Sequence, residues 1–358
     1  MKLFYLFFAS LLILNLTGCA KTEVRKAPAV YFPAPPAVPK IQFLTSIKSA
    51  YNLKAMTPFE SFLLGPDQRE LSLSKTYDVA SAPGKIFTLD RTYRKILIID
   101  LVNKEIDMLD DAQTREGQLV NPGGITATPD GTLYVTDINR FEVISFDSNG
   151  KYLKTYGSKD IFVKPVDVAV FENNIYVCDM KKNQIIVFDR QSGNMLGTIS
   201  QLGPRDSGLF NPTHIAVDTK GNIYVTDAFH FLVKKFSPDG ELLKKFGFHS
   251  DVPGSFARPK GIAVSDDGYL YAVDAGSEMV QIFNQEGQLM LFFGGPGRTP
   301  GKLYLPAGIA VDNDNVAYFQ GFADSRFKVE YLILVTSTLG PRQVNIYGFG
   351  TYAGNPSN

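Results

Sequence analysis

Short apolar stretches that end in aspartate recur along the chain: Phe87-Thr88-Leu89-Asp90, Tyr134-Val135-Thr136-Asp137, Tyr176-Val177-Cys178-Asp179, Tyr224-Val225-Thr226-Asp227 and Tyr271-Ala272-Val273-Asp274. By position these aspartates stand 47, 42, 48 and 47 residues apart. A sixth copy reads Ala317-Tyr318-Phe319-Gln320, with Gln in place of Asp. A second apolar marker precedes each copy, as in Gly261-Ile262-Ala263-Val264 and Gly308-Ile309-Ala310-Val311. A third follows, as in Glu142-Val143-Ile144-Ser145-Phe146, and a fourth often closes on aromatic-Gly, as in Lys245-Phe246-Gly247 and Phe292-Phe293-Gly294. Pro129-Asp130-Gly131, Ser148-Asn149-Gly150, Pro238-Asp239-Gly240 and Asp266-Asp267-Gly268 separate them with residues suited to tight turns. Four short β-rich segments per period, repeated six times, predict an all-β fold: a six-bladed β-propeller of four-stranded blades over residues 77–358.

Residues 41–76 lead into the first blade. Ile41 to Ile47 reads as a strand, and Thr57-Pro58-Phe59-Glu60 supplies an N-cap, a first-turn proline and an N3 glutamate, which predicts a short helix over Pro58 to Leu64. A ring of blades leaves no exposed edge when a terminal strand joins the last blade to the first. Two arrangements satisfy this: Val344 to Phe349 as the outermost strand of blade six, or Ile41 to Ile47 pairing with it or outside it. Upstream, residues 19–40 hold Pro28, Pro33, Pro35, Pro36 and Pro39 and little that builds a core, which reads as a stiff tether. At ~3.1 Å per residue such a segment reaches up to about 60 Å. Residues 1–18 open with Lys2 and the apolar run Leu3 to Leu16, long enough for a signal peptide and short for a membrane span.

Two family resemblances attach to particular residues. Leu16-Thr17-Gly18-Cys19 resembles the lipobox of bacterial lipoproteins, which implies acylation of Cys19 and a lipid anchor in the cell envelope. Ala20 stands where an inner-membrane retention signal places Asp, which favours the outer membrane of a Gram-negative cell. Asn211-Pro212-Thr213-His214-Ile215-Ala216-Val217-Asp218, then Gly221-Asn222-Ile223-Tyr224-Val225-Thr226-Asp227 and Gly240-Glu241-Leu242-Leu243-Lys244-Lys245-Phe246-Gly247, resembles an NHL repeat. The blades beginning near Asn121, Ala257 and Leu305 are similar to it; blades one and three lack the aromatic-Gly close, and blade six carries an unusual stretch from Phe327 to Ser337. The NHL resemblance implies the propeller fold over roughly 280 residues. Fold alone does not specify an activity.

Composition narrows the partners. The 358 residues carry 36 Lys+Arg against 36 Asp+Glu, so the chain lacks the excess of cations that phosphate-backbone binding needs, and nucleic acid is excluded as a partner. Two cysteines, Cys19 and Cys178, build neither a disulfide framework nor a Cys-x-x-Cys-His haem attachment. Cys178 reads as a small buried apolar residue.

Three groups of residues bear on chemistry. Where the innermost strands begin, the six equivalent positions are Asp78, Gly124, Asp167, His214, Gly261 and Gly308. Asp78, Asp167 and His214 are metal-ligand types and form the candidate metal site of a metal-dependent lyase or hydrolase. The alternative is that both aspartates bond neighbouring backbone amides and His214 is a satisfied channel histidine, so that no cofactor is needed. NHL-type amidating lyases carry histidines at matching places on several blades, and this chain keeps only His214. The repeated aspartates, as a ring of carboxylates, suggest either a cation site or, in each blade, an acceptor for the amides of the next turn. The loops after them bring Tyr93, Arg94, Arg140, Lys181, Lys182, Phe229, His230, Phe322 and Arg326 to one face if the blades are equivalent. Aromatics and arginine are interface anchors. The function expected is a membrane-anchored propeller that binds a protein partner or organises an assembly at the envelope. Lipoproteins that resemble this chain, with a Pro-rich lead into Ile41-Gln42-Phe43-Leu44, occur beside multihaem cytochromes, which implies a redox-complex partner.

Overall fold

The computed structural model describes residues 28–53, 71–110, 114–200, 203 and 207–354. The expected signal peptide, Cys19 and the Pro58 to Leu64 helix lie outside these residues. Two N-terminal strands, β1 (Val30–Phe32) and β2 (Ile41–Ile47), precede the blades. Blade one comprises β3 (Thr76–Ala82), β4 (Lys85–Asp90), β5 (Lys95–Asp100) and β6 (Glu105–Met108). Blade two comprises β7 (Pro122–Ala127), β8 (Leu133–Asp137), β9 (Glu142–Phe146) and β10 (Tyr152–Tyr156). Blade three holds β11 (Pro165–Phe171), β12 (Asn174–Asp179), β13 (Gln184–Asp189) and β14 (Met195–Ile199). Blade four holds β15 (Pro212–Val217), β16 (Ile223–Asp227), β17 (Leu232–Phe236) and β18 (Leu242–Phe246), and blade five β19 (Pro259–Val264), β20 (Leu270–Asp274), β21 (Met279–Phe283) and β22 (Leu289–Gly294). Each is an antiparallel meander, and β3, β7, β11, β15 and β19 form the inner ring with β23 (Pro306–Asp312) of blade six.

Position in the blade explains the hydrophobic pattern. Strands β8, β16 and β20 are buried at every residue because a neighbouring blade covers each face, so they read as unbroken apolar runs. The outermost β18 alternates between part-buried and exposed, since one of its faces meets solvent. The apolar side chains collect at the blade junctions. Phe87 and Ile96 of blade one meet Leu133 and Ile144 of blade two, and Tyr224 and Val233 of blade four meet Ile262 and Leu270 of blade five.

Blade six departs from the repeat. The stretch Ala317-Tyr318-Phe319-Gln320, expected as its second strand, is a short helix, α1 (Val316–Phe319), running into a 3-10 turn over Gln320–Phe322. The second strand is instead β24 (Phe327–Ser337), which places Ser337 opposite Pro306 as Asp227 stands opposite Pro212. The run from Tyr331 to Val335 in β24 is buried throughout and makes a better central strand than a four-residue segment. The inserted helix is fixed where it lies: Phe319 is buried, the Tyr318 hydroxyl donates to the Leu53 carbonyl at 3.0 Å, and Asn315 bonds both Gly84 and Ala82 of blade one.

Closure also differs from one of the two expected arrangements. Strand β25 (Val344–Tyr352) is the third strand of blade six, not the outermost, and β2 pairs outside it from Ile41 opposite Phe349 to Ile47 opposite Val344. The N-terminal strand therefore completes the last blade and ties the two ends of the chain together. Strand β1 adds a fifth, with Val30 opposite Phe43, so part of the proline-rich segment expected to be tether is built into the sheet.

Candidate functional site

In blades one to five the end of the second strand is organised by its aspartate. Asp137 accepts the amide N–H groups of Val120 and Asn121 on one oxygen and of Asn139 and Arg140 on the other. Asp90 and Asp179 repeat this with Ser74, Lys75, Thr92 and Tyr93, and with Val163, Lys164, Lys181 and Lys182. Asp274 holds Ala257, Arg258 and Gly276 together with the Ser277 hydroxyl. The carboxylate clamps the loop that enters the blade to the turn that leaves its second strand. The repeated aspartates serve the blade, and among the described residues no three His, Cys, Asp or Glu side chains gather to hold a metal.

Blade four breaks the rule. Asp227 accepts the Phe210 amide on Oδ1, while its Oδ2 lies 2.7 Å from His230 Nδ1 and 2.7 Å from Lys234 Nζ. Lys234 is fully buried, and its ammonium also donates to the Gly208 carbonyl. Leu97, Ile144 and Ile186 occupy the equivalent register in blades one to three. Lysine at a core position is the signal that sequence reading passed over. Above this buried group Phe210 and Phe229 meet edge to face at 5.0 Å, and they are 42% and 56% exposed.

The remaining loop residues divide by location. Tyr93 donates its hydroxyl to Ser72, and Arg140 is held by Glu142 and the Gln118 carbonyl, so both are part of the platform. Arg94 and Lys181 are exposed on the same face, and the blade-three loop adjoins the blade-four loop, where the Asn211 amide donates to Asn183 Oδ1. Phe322 and Arg326 were expected beside them and are not. They lie in the insertion between β23 and β24, at the opposite end of the blades, and Arg326 pairs with Asp324. The shift of the second strand to β24 is the reason.

The three channel residues are mostly committed to structure. Asp78 accepts the Val79 amide at 3.0 Å and the Ile125 amide of blade two at 2.9 Å; Asp167 accepts those of Val168 and of Ile215 in blade four, both at 2.9 Å. Each carboxylate thus staples its blade to the next. The glycines beside them are required by this: a Cβ on Gly124 would stand 2.1 Å from Asp167 Oδ1, and one on Gly308 2.4 Å from Asp78 Oδ1. Burial raises Asp78 to about 6 and pushes Asp167 well above the carboxylate range, where the Asp78 charge adds to the effect. Burial, with Lys260 and Arg91 nearby, lowers His214 to about 3, so its ring is neutral. Its Nδ1 stands 3.1 Å from Thr213 Oγ1 and its Nε2 has no partner among the described residues, so the histidine is not satisfied as expected. The innermost strands enclose a cavity of about 360 Å³ below these groups.

A family model described as a beta-propeller repeat matches residues 199–226, which span the start of blade four. The chain carries a beta-propeller repeat. Protein brain tumor of Drosophila melanogaster is 28% identical over 141 residues, which is 37% of this chain and 13% of that protein. The chain thus spans a small part of the length of that relative. Among solved structures, a gluconolactonase from Xanthomonas campestris superposes with a TM-score of 0.55 at 16% identity, over 91% of this chain and 99% of the other. A protein of unknown function from Bacteroides thetaiotaomicron gives 0.59 at 16% identity, over 77% and 70%. An inactive variant of virginiamycin B lyase from Staphylococcus aureus gives 0.50 at 16% identity, over 77% and 84%. These likenesses establish the propeller fold and no activity.

Proposed function

We propose that the chain is a lipid-anchored NHL-type propeller of the cell envelope that docks a protein partner on its aspartate face. The observation that carries this reading is the exposed Phe210–Phe229 pair, seated on a rigid clamp and flanked by cationic loops. Large aromatics held in water on an ordered platform are the side chains that supply most of the energy of protein interfaces. Position supports the same face: the buried Asp227, His230 and Lys234 group below fixes the loop that presents Phe229. A photo-crosslinking residue at Phe229 in membrane-bound protein should give one discrete adduct, and the same residue at Phe322, at the other end of the blades, should give none. Equal adducts at both positions, or none at Phe229, would count against the reading. Phe229→Ala should weaken capture of the adduct partner by ~1–3 kcal/mol.

One observation favours a second reading, a metal-dependent lyase or hydrolase working in the channel: the unpartnered His214 Nε2 beside two carboxylates. Against it stand the four backbone amides that already occupy Asp78 and Asp167. Divalent-metal binding to the purified protein that is lost in His214→Ala, with crosslinking at Phe229 absent, would favour the enzyme.

A further inference from the structure

The mouth of the channel on the aspartate face is crowded with cations. Arg91, Arg94 and Lys164 line one cavity of about 530 Å³ together with Asn121 and Asn139. Arg91 lies over the ring of Tyr77, its guanidinium carbon 3.5 Å from the centroid, and that ring is 6.1 Å from His214. Blade five contributes two more: Arg258 immediately precedes β19 and Lys260 is its second residue. These groups feel one another, since burial and then the charges of Arg258 and Arg91 bring Lys260 down to about 8.

Cations outnumber carboxylates in the lining of that cavity, three to one. Among the described residues none of the five cations enters an ion pair. Asp90 is the one carboxylate of that lining against three cations, and its two oxygens face four amide N–H groups of the blade and not a cation. Asp78 and Asp167 lie deeper and are held by backbone amides, with burial opposing their charge. Like charges converging there raise the electrostatic energy of the mouth, and an anion placed among them lowers it. Guanidinium groups add paired donors that suit the flat edge of a carboxylate or phosphate. Asn121 and Asn139 supply neutral polar groups at the rim. The His214 Nε2 without a partner is a second polar group that the fold leaves open in the channel below.

We propose that this mouth is a binding site for a small multivalent oxyanion, carboxylate or phosphate in chemistry, held by Arg91, Arg94 and Lys164, with Arg258 and Lys260 of blade five adding positive charge beside Arg91. The site stands whether or not a protein docks on the same face. Calorimetric titration of the full chain at physiological salt, with citrate in one arm and pyrophosphate in the other, tests it and separates the two chemistries. Saturable binding of one anion per chain is expected in at least one arm. Arg91→Gln should weaken it about tenfold, the loss of one charge-assisted contact, and Lys260→Gln, which removes a charge beside Arg91, should weaken it less. Lys220→Gln, in the turn at the far end of blade four, should leave it unchanged. Arg258→Gln, at an exposed position, replaces the Lys260 variant if that one fails to fold. Absence of saturable binding in both arms, or equal weakening by Lys220→Gln, would overturn the proposal.

Discussion

Asp137 shows how much one side chain does for a blade. Its two oxygens receive four amide N–H groups, from Val120 at 2.6 Å, Asn121 at 3.0 Å, and Asn139 and Arg140 at 3.1 Å. Asp137→Ala leaves those four part-buried donors without their acceptor and should lower the unfolding free energy by about 3 kcal/mol in urea denaturation, less than the ~4–12 kcal/mol that four fully buried unmet donors would cost, because water reaches them. In blade four the same position is an ion group, and Lys234→Met strands the buried Asp227 charge. It should cost about 3–5 kcal/mol, more than the Asp137 change. The channel residues give a pH signature. His214 drops from 6.5 to about 3, so the folded state rejects its proton and its contribution to stability is lost as pH falls from 6.5 toward 3. Asp78 rises from 3.8 to about 6, so its folded form holds the proton and its contribution is lost as pH rises from 3.8 toward 6. The slopes oppose each other between about pH 4 and 6. Relative to the unaltered chain, His214→Gln should lose stability steadily as pH is raised across that window; denaturation curves at three pH values would show a flat or rising difference if this is wrong.

Strand β2 carries the closure of the ring at the scale of elements. Ile41 and Ile47 are fully buried, and every residue between Ile41 and Ile47 except Leu44 has a Cα partner in β25. Deleting residues 28–47 would strip β25 of its outer partner and leave the last blade three-stranded, with a long new edge that is a template for pairing with a second chain. The truncated protein should run as oligomers in size-exclusion chromatography and melt at lower temperature; a monomer with unchanged melting would refute the closure role. A milder test is Ile47→Ala, expected to cost ~2–4 kcal/mol as a large-to-small change in a packed core. That Ile41 to Ile47 is a strand was legible from its residues. Its partner was not, because the pairing joins positions some three hundred residues apart and two arrangements satisfied the same hydrophobic pattern.

At the scale of the whole molecule, the proposed lipid anchor and the face it leaves free would determine what the propeller can reach. Among the described residues no helix is long and apolar enough to cross a membrane. The proposed attachment is through Cys19, and the distance from anchor to blade six is shortened by β1, which begins at Val30. Cys19→Ser should abolish incorporation of labelled palmitate and move the protein from the membrane to the soluble fraction; retention of both would refute the lipid anchor.

The sequence by itself determined what is local and repeated. Period, strand content, turn residues and the aspartate that ends each second strand are set by side chains within one blade, so five copies could be aligned without coordinates. It also located Asp78, Asp167 and His214 at equivalent places on the inner ring. Tertiary structure alone decided what depends on neighbours. It moved the second strand of blade six from Ala317–Gln320 to β24, because burial between two blades favours the longer apolar run over the nearer one, and with that Phe322 and Arg326 left the aspartate face. It turned Asp78 and Asp167 into staples between blades, since the amides they accept from Ile125 and Ile215 belong to the next sheet. It brought Arg91, Lys164 and Lys260 from three blades to one mouth. Charges so far apart in the chain have no common pattern until the ring closes.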